Sequence, residues 1–216
     1  MPNAGAGVRV AGAWLAIAAI LLGGVLAFHG PLVADLDAQM GIIASSAKRW
    51  AVVHWVAAVT LSLFAVAGLV VLAAGSRLTR DWWTMSAWAV LPIGALWTVP
   101  TAVAEATAIA DAAAAGNRAT FEAWWAFAAG MGTGFSFLAL AVAAIAGHEA
   151  RTPRRVMPAW ASWIGSVAGG ASFLGWALGM WLGIDSGNVL WVASSLVMCL
   201  WLFWFGVALT RTAAAE

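Results

Sequence analysis

The chain has 216 residues, of which 64% are hydrophobic and only 9% charged, and its mean hydropathy is +0.93. Ordinary soluble domains carry roughly 25% charged residues, so this composition excludes a water-soluble globule. A net charge of +1 lacks the dense basic face that nucleic acid requires, and a lone cysteine, Cys199, excludes an internal disulfide and a cysteine-cluster metal site.

A spanning helix needs about 20 mainly apolar residues. Six runs meet that demand: 10–28, 50–74, 82–105, 121–146, 157–183 and 188–209. They predict an all-α polytopic bundle of six transmembrane helices, forming one domain over 1–216. The first run is longer than the 7–15 apolar residues of a signal peptide, so it is expected to remain as a membrane helix.

Between the first two runs, Leu32, Leu36 and Met40 recur near helical spacing, with Asp35, Asp37 and Gln39 between them. That pattern predicts a short amphipathic helix lying on the outer interface. The second run carries His54 about one turn inside its start. The third is interrupted by Pro92 and Pro100, each lacking a backbone donor, and leads into Glu105. It is expected to stay helical to about Ala115, where Gly116–Asn117 provides a stop signal. The fourth holds Gly130 and Gly134 on one face. In the fifth, Gly165 and Gly169, then Gly175, Gly179 and Gly183, recur four apart, a spacing that lets helix backbones approach closely. Such faces pack the bundle or join two copies of the chain.

Orientation follows from basic residues beside the runs. With the N-terminus inside, Arg9, Arg77, Arg80, Arg151, Arg154, Arg155 and Arg211 face the cytoplasm, against Lys48, Arg49 and Arg118 outside. Both termini are therefore expected in the cytoplasm. The sixteen tryptophans fall toward the two membrane faces, as amphipathic rings prefer. Trp97, Trp176 and Trp201 are placed deeper than such belts require. The scarcity of lysine, the absence of tyrosine and the excess of alanine are the marks of a GC-rich bacterial genome.

Few ionisable groups lie in or beside the runs. His29, His54 and Glu105 all fall in the outer third of the membrane, whereas His148 and Glu149 read as a solvated loop on the other side. A carboxylate inside an apolar run is costly and marks a functional site. Glu105 is expected to pair with His54 or Arg118. If buried beside His54, it is an acid able to give a proton to an apolar substrate or to anchor a polar head group. Glu105 and His54 are the candidate catalytic pair, and Trp55, Trp97, Trp176 and Asp185 the candidate ligand-binding residues. His29 and His54 also permit a haem or metal reading, since imidazole is a common ligand. No metal-ligand spacing links the three histidines, so no Soret band, no stoichiometric metal and no cofactor are expected. No phosphate loop, nucleophile elbow or retinal-binding lysine is present.

The stretch "RTPRRVMPAWASWIGSVAGG", followed by "LWVASSLVMCLWLFWFGVAL", resembles the last two spans of a family of uncharacterised bacterial six-helix membrane proteins, a domain of unknown function. There a basic, proline-containing loop leads into a tryptophan-rich helix, matched here by Pro153, Arg154, Pro158, Trp160, Trp163 and Gly165. The opening "VRVAGAWLAIAAILLGG" is similar to that family's first span. The resemblance implies a six-helix fold in a bacterial plasma membrane and carries over no catalytic residue. Three functions fit these features: a membrane protein that binds or acts on a lipid-like molecule, isoprenoids included, in an outward-facing pocket; a small haem or metal protein; and a non-catalytic accessory or sensing subunit.

Overall fold

The computed structural model describes residues 4–212, and every regular element among them is helical. Six long helices dominate: α1 (Ala4–Phe28), α3 (Ala47–Ala74), α4 (Trp82–Ala104), α6 (Arg118–Arg151), α7 (Ala159–Trp176) and α8 (Asp185–Thr212). The short α2 (Leu36–Ala44) lies in the α1–α3 connector. After α4 the chain makes a π-helical turn, Glu105–Ile109, and ends the rod with α5 (Ala110–Ala114). Gly116, at a φ of 67°, provides the left-handed turn into α6, whose N-cap Asn117 accepts from the Thr120 N–H. A second π-turn, Ala177–Trp181, extends α7.

The six helices close into a ring. Each packs beside the next in chain order, α1 on α3, α3 on α4, α4 on α6, α6 on α7, α7 on α8, and α8 returns to α1. Six passes bring the start of α1 and the end of α8 to the same end of the ring. Glycines set how closely the rods approach. At the α4–α6 crossing, a Cβ added to Gly94 would stand 2.6 Å from the Gly134 carbonyl, and one added to Gly134 would stand 2.6 Å from the Gly94 carbonyl. Gly12 and Gly206 make the same kind of crossing between α1 and α8. Four glycines of α7 and its π-turn are filled from within the chain, Gly165 by Trp201, Gly169 by the α6 backbone at Ala139, Gly175 by Trp191 and Gly179 by Asn188, whereas Gly170 meets open space.

Five of the described helices are long and apolar enough to cross a membrane: Gly5–Phe28, Ala47–Ala74, Trp82–Ala114, Arg118–Arg151 and Asp185–Arg211. Their outer faces carry exposed apolar side chains, including Ile20, Val59, Ile93, Leu140 and Leu200. A soluble monomer rarely exposes so much contiguous apolar surface. Length and composition thus suit the chain to a multi-pass membrane protein. The helix expected over 157–183 is present as α7 with its π-turn, but its glycines and serines keep it out of that apolar set.

Three expectations need correction. Gln39, placed on the polar face of α2, is fully buried, and its side-chain carbonyl accepts from the Val33 N–H at 2.9 Å. Glu149 lies in the last turn of α6 with His148, and is buried. Its carboxylate accepts from the backbone N–H groups of Val156 and Met157, fastening the loop into α7. Trp82, Trp160 and Trp204 are exposed, whereas Trp50, Trp88 and Trp191, read as belt residues, are buried inside the bundle; of the three placed deeper, Trp176 and Trp201 are buried and Trp97 is exposed.

Candidate functional site

The interior of the ring is not fully packed. A cavity of about 90 Å³ lies along its axis, and each of the six long helices contributes to its wall. Leu22, Val25 and Leu26 come from α1, Ala57 and Leu61 from α3, and Phe135 from α6. Trp176 of α7 and Trp191 of α8 meet edge to face, with ring centroids 5.2 Å apart. The wall is almost wholly apolar except at one end. There His54 and Glu105 line it, with His29 from the connector that follows α1.

Glu105 opens the π-turn that continues α4, and its carboxylate meets His54 of α3, with Nε2 and Oε2 2.5 Å apart. Both side chains are buried. The Nδ1 of His54 lies 2.8 Å from the carbonyl oxygen of Trp50. A carbonyl only accepts, so Nδ1 carries hydrogen. Nε2 and Oε2 are then two basic atoms in contact, which requires a proton on one of them. His29 makes the equivalent backbone bond, Nδ1 to the Gly30 carbonyl at 3.2 Å, leaving its Nε2 as a lone pair. Its ring stands 4.9 Å from that of His54 and 4.8 Å from that of Trp50. Burial, and after it the neighbouring His54, pushes the His29 imidazole down from its usual 6.5 to about 4, so it is neutral near pH 7.

π-turns inside α-helices often mark functional sites, and both π-turns here border this cavity, one through Glu105 and the other through Met180.

The structure brings together Glu105, His54 and Trp176, and adds His29 to them. Of the two partners expected for Glu105, it is His54 that pairs. Arg118 instead forms ion pairs with Asp37 and Glu122, all half-exposed. The other expected ligand residues lie outside the cavity. Trp55 is exposed, Trp97 stacks on Phe137 on the outer face of the ring, and Asp185 is exposed at the start of α8. Trp191 and Phe135 are wall residues that the sequence did not distinguish. A haem held between His29 and His54 does not fit: the rings stand edge to face at 4.9 Å and leave no slot for a macrocycle between them.

No protein-family model matches the chain, and no curated protein or solved structure matches it closely enough to lend it a function. The resemblance to the uncharacterised six-helix family rests on the residues quoted for it alone.

Proposed function

We propose that this protein is a six-span protein of a bacterial plasma membrane, with both termini cytoplasmic, that binds and acts on a lipid-like amphiphile in the ring cavity. The observation that carries this reading is an apolar cavity whose polar end is a buried His54–Glu105 pair. An acyl or isoprenoid chain suits walls such as Leu22, Leu61 and Phe135, and its polar group would meet the protonated pair at Glu105. Glu105 is then the anchor and candidate acid, His54 its partner, and Trp176 and Trp191 the aromatic wall.

Six spans are supported by α7 itself. With its π-turn it runs from Ala159 to Trp181; at about 1.5 Å per residue such a rod reaches the roughly 30 Å of a hydrocarbon core. Its outward Ile164, Val167 and Leu174 are exposed like the outer residues of its neighbours. Orientation rests on the excess of arginine at the end of the ring holding Arg77, Arg80 and Arg154. A reporter fused after Glu216 is expected to be active only in the cytoplasm, and activity only outside it would refute the orientation.

Binding is tested by mass spectrometry of lipid that co-purifies with the protein in mild detergent. Glu105→Gln keeps the side-chain shape and removes the charge. It is expected to lower lipid retention roughly tenfold or more, the effect of losing a charged hydrogen bond worth about 1.5–3 kcal/mol. Glu122→Gln, at the exposed end of α6, should leave retention unchanged. Ala57→Leu, which fills the apolar wall one turn along α3 from His54, should also lower retention. Equal lipid content in all four proteins would remove the cavity as the ligand site and favour an accessory role.

A further inference from the structure

We infer that His29, His54 and Glu105 together bind a divalent transition-metal ion, zinc before others, at the polar end of the cavity. The inference deepens the reading above, because that ion would face the polar group of the bound amphiphile. Its own support is separate from any lipid.

Three donors of the right kind converge from three parts of the chain. One nitrogen from each imidazole and one oxygen of the Glu105 carboxylate all lie within 4.8 Å of one another. Two imidazoles and a carboxylate are a donor set that zinc takes at catalytic sites, where three protein ligands leave a fourth position open. Bonds of about 2.0–2.2 Å place the donors of a tetrahedral ion about 3.3–3.6 Å apart. The present separations, from 2.5 Å between His54 Nε2 and Glu105 Oε2 up to 4.8 Å at most, bracket that spacing.

The surroundings of the imidazoles argue the same way. Metal-bound histidines nearly always donate their other ring N–H to a carbonyl or carboxylate, which fixes the tautomer and orients the ring. Both histidines already do so, His54 to Trp50 and His29 to Gly30. Trp50, its ring 4.6 Å from that of His54 and 4.8 Å from that of His29, packs against both. A structural histidine paired with a carboxylate explains His54 alone. It leaves unexplained a second imidazole beside the pair with its Nε2 lone pair unused.

The exchange balances simply. The ion enters as M²⁺, and the proton on His54 Nε2 or Glu105 Oε2 leaves to solvent. Both atoms, with His29 Nε2, become ligands. Nothing is oxidised or reduced.

The test uses the full chain in detergent, stripped with chelator and reloaded with zinc chloride alone. Expected results are about one zinc per chain by elemental analysis and proton release to a pH indicator on binding. His29→Ala leaves the buried pair intact and so preserves the fold, checked by thermal unfolding. It should weaken zinc binding more than about 100-fold, since even outer-shell partners of a ligand are worth 10–100-fold. His148→Ala, at the other end of the ring, should bind like the parent. Failure of the parent to retain zinc, or equal binding by His29→Ala, would overturn the proposal. The two readings separate cleanly: Ala57→Leu should lose lipid and keep zinc, while lipid held equally by chelated parent and His29→Ala would leave the cavity reading standing without the metal.

Discussion

Replacing His54 with alanine is expected to cost about 3–5 kcal/mol of stability, because it strands the Glu105 carboxylate inside the bundle without its partner. For a chain of this size that corresponds to a fall in unfolding temperature of roughly 6–20 °C. Glu105→Gln should cost far less, since an amide still hydrogen-bonds to Nε2 and carries no charge to strand. The double replacement His54→Leu with Glu105→Leu should recover much of the loss, because apolar groups of similar volume often serve as well as a buried ion pair. The exposed Arg118–Glu122 pair is the contrast, and Arg118→Ala should move stability by less than about 1 kcal/mol. A double-mutant cycle on His54 and Glu105 reads the coupling directly. Strictly additive losses would mean that the two side chains act independently, and the pairing would have to be abandoned.

Much of the architecture was legible because lipid imposes a length on every span. Apolar runs of about 20 residues announce themselves, and helix ends such as Asn117 and Gly116 carry their own signals. His54 was legible as one of two partners for Glu105, since a fixed rise per residue puts both at one depth on neighbouring helices. Arg118 stood equally open until the structure placed it on Asp37 and Glu122. What could not be read is which face of each helix turns inward. In a soluble bundle apolar residues mark the core, but here lipid-facing residues are apolar as well, so periodicity loses its contrast. Trp191 and Trp55 look alike in sequence, yet one lines the cavity and the other is exposed. The same blindness hid the burial of Gln39 and Glu149, whose backbone partners come from turns that the sequence does not draw. His29 joins the pair only because the connector after α1 folds back over Trp50, a tertiary fact.

Gly134→Val is expected to give the largest loss of folded protein. An ordinary overpacked core loses about 1–3 kcal/mol because side chains can shift. At this crossing there is little side chain to shift. The added Cβ would meet the Gly94 carbonyl at 2.6 Å and Thr98 Oγ1 at 2.7 Å, and Thr98 Oγ1 is itself held by donating to the Gly94 carbonyl. Relief therefore requires α4 and α6 to move apart as rods. That motion reaches the site, because α4 carries the π-turn that presents Glu105 to His54, and Thr101 of α4 donates to the Ala128 carbonyl in the cavity wall of α6. The expected result is little monodisperse protein, and in what survives, loss of bound lipid along with a lowered unfolding temperature. Gly130→Ala, one turn away with open space at its Cβ, is the matched control. It should be neutral or stabilise by up to about 1 kcal/mol, the usual gain of alanine over glycine in a helix. Equal tolerance of Gly134→Val and Gly130→Ala would mean that α4 and α6 do not touch at Gly94, and the ring would have to be closed in another way.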